Sequence, residues 1–237
     1  MSHGVPVRPP DEPAPQDRVL RQLLHDAALG IFPADDFSTT HLPSPSSPAD
    51  AVLSFFGHHL IASDVDWDWV RQWTQRDPFA LSDVRFLAAF ADRFGMRPGI
   101  FDAVFAVIGE GSTPGDIGLV ETSDRTHPRV IRALTYRDPE TLRVFTDPDC
   151  QGVLILGRGL AGRLEAAYEV HPGNRGNGIG KALVVAARRL APAGVPVFMQ
   201  ISPGNVWSMR AAAADPAWRV IGSEMLFHRS PAHGLVD

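Results

Sequence analysis

The sequence predicts an α/β fold, on three observations. Short apolar runs alternate with amphipathic stretches through the second half of the chain. A Gly-rich loop at 173–180 joins a strand pattern to a helix pattern. The chain has 237 residues, 44% of them apolar, enough to bury a real core.

Residues 1–16 are rich in Pro and charge, which predicts a disordered tail. Asp17 is placed to cap a helix carrying Val19, Leu20, Leu23, Leu24 and Ala27, with Gly30 as its stop. The Ser/Pro-rich stretch 38–50 reads as a linker or surface loop. The runs 52–56 and 59–62, separated by Gly57-His58, read as a hairpin with a type II′ turn, Gly first. His58 and His59 read as turn and strand-edge residues, since nothing nearby completes a metal set. Trp67, Trp69, Val70 and Trp73 follow a helical spacing that ends before Pro78, and read as core or lid packing, with a binding pocket as the alternative. Ser82 is the expected cap of a helix with Phe86, Leu87, Phe90, Ala91 and Phe94 on one face, stopped by Gly95. A strand at 101–108 and a flexible connection at 109–118 follow. Residues 17–127 thus form an N-terminal half of helices and a hairpin.

From 128 onward the order is regular. A helix at 128–136 has Pro in its first turn. Strands are expected at 141–146, 152–156 and 164–171, a helix at 178–190, a strand at 196–201, a helix at 205–214 and a last strand at 218–228.

Composition narrows the function. The formal charge is −5 and no block of Lys or Arg stands out, which argues against a nucleic-acid surface and mildly favours an amine or other cationic partner. Cys150 is the only cysteine, so neither an intrachain disulfide nor a cysteine zinc site is expected. No metal is expected elsewhere either. No run approaches the roughly 18 apolar residues of a membrane span, and the first residues lack the apolar core of a signal peptide. A cytoplasmic protein without a membrane partner is the expectation. Oligomeric state stays open, a homodimer included.

The informative segment runs from Tyr168 to Leu183, where a strand enters a Gly-rich loop that opens a helix. Such a loop exposes backbone N–H groups, and the helix start adds partial positive charge, so the two together receive phosphate oxygens. Lys181 and Arg175 add whole charges. Two other phosphate loops are excluded by position. A Walker A loop would need Gly at Arg175 and Ser or Thr at Ala182. The GxGxxG fingerprint begun at Gly176 would need Gly at Lys181. What remains is R-x-x-G-x-G, with Arg175, Gly178 and Gly180 in the fixed positions.

This segment resembles the acyl-CoA pyrophosphate motif of the GNAT N-acetyltransferases. Val170 and Pro172 match the family's Val-x-Pro lead-in. Ser202 to Ser208 resembles its second signature, a strand followed by an Asn-x-x-Ala/Ser helix, with Asn205 and Ser208 in the fixed places. Residues 218–227 resemble its closing strands. The likeness covers about 140–229. It implies a GNAT-type mixed, twisted sheet with helices on both faces, extended by the N-terminal half, and an acetyl-CoA-binding core at 128–237. It implies acetyl-CoA as co-substrate, held by Val170, His171, Arg175, Gly176, Asn177, Gly178, Ile179, Gly180, Lys181, Asn205 and Ser208. It implies a small-molecule or peptide amine as acceptor. The fourth and fifth strands of the family splay apart, the amine attacks the thioester directly, and the Val170 N–H would stabilise the oxyanion.

The catalytic groups do not carry over cleanly. Many members have a Tyr where this chain has Ala212. Others have a Glu base where it has Gln200 or Leu164. These gaps keep an alternative open, an acyl-CoA-binding regulatory or assembly module without turnover. For an enzyme, Glu165 and Glu169 are the candidate proton acceptors. Strand alternation puts both on one face, and Glu169 directly precedes Val170. Tyr168 and His171 are neighbours that could substitute. The plainer role for both carboxylates is a surface or salt-bridged one.

Overall fold

The computed structural model describes residues 13–229 apart from 76 and 78. Most of the expected tail at 1–16, the Pro78 helix stop and the end of the 128–237 block fall outside them. The strands are β1 (Thr39–Leu42), β2 (Ala49–Phe55), β3 (His58–Ala62), β4 (Arg97–Pro98), β5 (Asp102–Ile108), β6 (Val120–Thr122), β7 (Arg143–Thr146), β8 (Gly152–Arg158), β9 (Leu164–Val170), β10 (Pro196–Ile201) and β11 (Arg219–His228). The helices are α1 (Arg18–Ala28), α2 (Trp67–Thr74), α3 (Val84–Phe94), α4 (Pro128–Leu134), α5 (Ile179–Leu190) and α6 (Val206–Ala213). All described strands join one mixed sheet in the order β1-β3-β2-β11-β5-β10-β9-β8-β7-β6, with β4 also on β11. Pairs β1/β3 and β9/β10 are parallel and the others antiparallel.

Helices cover both faces because the strands alternate apolar side chains to each side. On one face Leu183, Val184 and Ala187 of α5 pack on Ala166, Val197 and Met199. Toward the β2 end of that face, Val70, Phe86 and Phe90 of α2 and α3 pack on Val52, Ile61 and Phe227. On the other face, Leu20 and Leu24 of α1 meet Leu53, Val104 and Phe198, and Val130 and Ala133 of α4 meet Val153, Ile155 and Ala167. The tryptophans of α2 pack against the second of these clusters, with Val70, Phe86 and Phe90, as their spacing suggests.

Several local expectations change. The stretch 38–50 contains β1, whose Thr39 and Thr40 pair with His59 and Leu60. The hairpin turns at Phe56-Gly57, both with positive φ (31° and 97°), the pattern of a type I′ turn, and Phe55 pairs with His58. Asp17 precedes α1 without capping it; its carboxylate accepts from the Ser46 backbone N–H and hydroxyl instead. Asp83 rather than Ser82 caps α3, accepting from the Arg85 N–H. The chain end supplies one strand, β11, and β5 lies between it and β10.

Two features decide where the sheet opens. The first is the short β9/β10 ladder. It consists of Leu164↔Val197 and Glu165↔Phe198 and then stops, although both strands continue. The second is a buried ionic cluster at that same level. Arg163 donates from Nε to Glu165 at 2.8 Å and from both terminal nitrogens to Glu224, at 2.7 and 2.5 Å. Arg137, in the turn after α4, closes on Glu165 at 3.3 Å, and the Leu160 N–H is the third donor to that carboxylate. The Arg163 guanidinium also lies 5.3 Å from the centre of the Phe198 ring. Two cations and two anions balance, and three elements far apart in sequence are tied at the start of the split.

Two consequences are measurable. Arg163→Ala leaves two buried carboxylates short of a partner and should destabilise the fold by about 3–5 kcal/mol, read from denaturant melts; a loss under about 1 kcal/mol would remove the cluster from its structural role. A fragment starting at Pro128 strips β11 of β2 and β5 and strips β10 of β5. It should show no cooperative melt, and a soluble fragment that binds acetyl-CoA would contradict this.

Candidate active site

A cavity of about 1040 Å³ fills the opening between β9 and β10. Tyr168, Glu169 and Val170 edge it on one side, and Met199, Gln200 and Ile201 on the other. It reaches both faces of the sheet, and the two ends differ chemically.

The end under α5 and α6 is lined by Arg175, Gly176, Gly178, Lys181, Asn205 and Ser208, among others. Gly176 and Gly178 have φ of 85° and 83°, a region that L side chains rarely adopt. A Cβ at either would meet no atom within 4 Å, so the space before them is open. The first helical bond of α5 runs from the Ala182 N–H to the Gly178 carbonyl. The six N–H groups from Gly176 to Lys181 therefore have no acceptor among the described residues, two more than a helix start leaves by itself. This is a cradle for an anion with several oxygens. Lys181 is the only lysine in the chain, and Arg175 and Arg210 stand with it. Asn205 caps α6 by accepting from the Ser208 N–H at 3.1 Å, which leaves its amide NH₂ for the cavity.

The edge of β9 is equally suited. The His171 N–H donates to the Gln151 carbonyl, so 171 and 151 form a hydrogen-bonded pair across β9 and β8. Antiparallel pairing alternates, which makes Val170 and Gly152 a non-bonded pair and turns the Val170 N–H away from β8 into the opening. Gly152 accordingly uses its own N–H on Asp147 and its carbonyl on Thr146. Tyr168 lies on the α5 face, 3.5 Å from where a Cβ at Gly180 would stand. Its hydroxyl is buried beside Ser208 without an aligned hydrogen bond, and burial pushes the phenol up against the smaller pull of that serine.

The opposite end, under α4, is lined by Ile100, Asp102, Arg129, Arg132, Glu169 and Gln200. The last β5–β10 pair is Ala103↔Ile201, so Asp102 is level with Ser202. Extending the β9/β10 register by four residues brings Glu169 to the same level. Burial raises the Asp102 carboxyl to about 6, reinforced by Glu224 and opposed by Arg132 and Arg129. Asp102 escaped the sequence reading because nothing local marks it; only the insertion of β5 beside β10 brings it to the cavity.

The other sequence candidates divide. Glu169, Val170, Arg175, Gly176, Gly178, Ile179, Gly180, Lys181, Asn205 and Ser208 all line the cavity. Asn177 sits in the loop without lining it. His171 faces out and accepts from the Gly173 N–H to cap a short turn. Glu165 is withdrawn from the cavity by Arg163 and Arg137, which hold its carboxyl low against the larger opposing effect of burial. Among the described residues, no group of three His, Cys, Asp or Glu side chains could hold a metal ion, and no helix is long and apolar enough to cross a membrane.

No family model matches the chain, and no curated protein does. Some solved structures are similar in arrangement. An acetyltransferase of the GNAT family from Colwellia psychrerythraea aligns over 56% of this chain and 57% of its own, at 12% identity and a TM-score of 0.35. A GCN5-related N-acetyltransferase from Sphaerobacter thermophilus aligns over 71% and 70%, at 15% identity and a TM-score of 0.35. A GNAT-family protein from Novosphingobium aromaticivorans DSM 12444 aligns over 58% and 69%, at 16% identity and a TM-score of 0.38. The chain spans a little more than half the length of the Colwellia protein.

The cradle makes its own prediction. Acetyl-CoA should raise the melting temperature in a concentration-dependent way, with a micromolar dissociation constant, roughly −8 kcal/mol. It should also slow amine-reactive labelling of Lys181, read by mass spectrometry. Gly178→Val, which puts a branched side chain at φ of 83°, should abolish both effects. Normal protection of Lys181 in a folded G178V variant would put the phosphate loop elsewhere.

Proposed function

We propose that the chain is an acyl-CoA-dependent N-acyltransferase that moves an acetyl or other short acyl group to an amine. The observation that carries this reading is the place of the cavity. It fills the opening between two parallel strands, with an anion cradle on one face and carboxylates on the other.

The residues present fit a CoA diphosphate. The N–H groups of 176–181, with Lys181 and Arg175, would hold it, and the Asn205 amide and the free edge of β9 would take the amide-bearing arm. When bound, acetyl-CoA supplies an acyl group as a thioester open to attack by nitrogen. The chain's own groups do the rest. The Val170 N–H, turned into the opening, donates to the carbonyl oxygen as negative charge develops there. Asp102 takes the proton that the amine must lose, since a primary ammonium ionises near about 10.4. At about 6 the Asp102 carboxyl is ionised at neutral pH yet more basic than an ordinary aspartate. Glu169 is the second carboxylate at the same level. Tyr168, with an unbonded buried hydroxyl on the cofactor side, is the proton donor to the departing sulfur, the role left open by Ala212. A nitrogen–carbon bond forms and a carbon–sulfur bond breaks; of the two protons the ammonium loses, one goes to a carboxylate and the other restores Tyr168 after its own proton has passed to the thiolate.

Asp102 separates catalysis from structure. Its carboxyl is raised in the fold, so its ionised form is disfavoured relative to the unfolded chain; that cost sets in as pH climbs from the ordinary aspartate value through about 6 and persists above it. Asp102→Asn should therefore raise the melting temperature at pH 7 while lowering kcat about a hundredfold or more. In the wild-type protein kcat/KM should fall as pH drops through about 6, and the variant should lose that limb. Unchanged turnover and pH profile in D102N would return the role to Glu169. Tight acetyl-CoA binding without thiol release from any amine would favour a binding module.

A further inference from the structure

The α4 end of the cavity contains more than a base requires. Arg129 and Arg132 lie three apart on α4, which sets them on one helix face, and both line the cavity. Neither makes an ion pair or side-chain hydrogen bond among the described residues. Several arginines elsewhere are matched: Arg188 with Glu110 and Asp215, Arg143 with Glu121, Arg229 with Asp50. The Arg129 Nε is buried with no acceptor, and so is the Gln200 Nε2 at the facing edge of the opening. Burial lowers the Arg129 guanidinium to about 10, helped by Arg137 and Arg132, so a bound anion would relieve a strained cation. These donors cannot serve the cofactor's phosphates, because α4 covers the face opposite α5 and its loop. Beside them stand Asp102 and Glu169, acceptors for an ammonium.

Resting on the acyltransferase reading, we propose that the acceptor is an amine carrying its own carboxylate, of the free amino-acid kind. Its carboxylate is held by Arg129 and Arg132, with Gln200 as an added donor, and its amine is turned to Asp102. A planar guanidinium pair suits a carboxylate better than it suits an uncharged amide. A simple alkylamine would leave two cations without a partner, and a polyamine would meet them as like charges.

The test uses the full chain with acetyl-CoA and reads free thiol. Acceptors are the twenty common amino acids, their carboxamides, and n-butylamine. At least one free acid should exceed its own carboxamide by tenfold or more in kcat/KM. Arg129→Gln and Arg132→Gln should bring that ratio near one, and Arg129→Lys should keep part of it. Carboxamides or butylamine used as well as the acids would overturn the proposal, as would a ratio unmoved by either substitution. If acetyl-CoA raises the melting temperature but no acceptor releases thiol, calorimetry decides on protein saturated with CoA. Carboxylate-dependent binding of an amino acid supports the proposal, and no binding overturns it. A protein whose melting temperature ignores acetyl-CoA removes the acyltransferase reading and this proposal together.

Discussion

The bidentate ion pair between Arg163 and Glu224 is the contact on which the rest of the site depends. Two charges out of water favour the fold only when their geometry and remaining hydrogen bonds are good, and here Glu224 accepts from both terminal nitrogens of Arg163 while the Arg163 Nε donates to Glu165. Arg163 lies just before β9 and Glu224 is on β11, so the pair spans the strands β10 and β5 between them. Glu165 extends the cluster to Arg137 beyond α4. A sheet that opens along part of one ladder needs an anchor where the opening begins. The cluster supplies it at Glu165↔Phe198, the last paired position of β9 and β10. Past that point the unpaired strand edges are free to line a cavity.

The same cluster reaches the proposed base. Glu224 and Asp102 are cross-strand partners on β11 and β5, and the charge of Glu224 helps to keep the Asp102 carboxyl high. Glu224 is fixed by Arg163, so its effect on Asp102 is built in rather than dependent on a mobile side chain. Glu165, the other cluster carboxylate, is spent on its two arginines and has nothing left for a substrate. Three acidic side chains on one face of the sheet, Glu165, Glu224 and Asp102, thus take different roles from their partners alone.

What was legible in the sequence follows from how far apart the cooperating residues lie. The proposed cradle is contiguous: its backbone groups, glycines and lysine all lie within Gly176–Lys181, so they could be read in order. Elements from β7 onward were placed within a few residues, because each carries its own apolar period and stop signals. β1 was hidden because Ser and Pro around it resemble a loop, and its pairing with β3 is what makes it a strand. Asp102 was hidden for a deeper reason. It is at the start of an ordinary apolar strand, and only the topology, which slides β5 between β10 and β11, turns it into a cavity residue. Glu165 misled in the opposite sense. Alternation rightly put it on the face of Glu169, but its partner Arg137 comes from a separate turn.

Charge placement in the cavity is better explained by segregation than by net sign. Cations stand at both ends, but carboxylates stand only under α4. A phosphate-bearing ligand entering at the α5 end meets Arg175, Lys181 and bare N–H groups, with no acid among them. At the other end Asp102 and Glu169 are set near Arg129 and Arg132 without closing into salt bridges, so both signs stay available to a partner. Such an arrangement costs stability in the free protein, since closed pairs would hold their charges at less expense. The chain forms closed pairs at Arg163, Arg188 and Arg143. Open charges gathered around one cavity support the reading that these groups are kept for a ligand, and that support is independent of any resemblance in the phosphate loop.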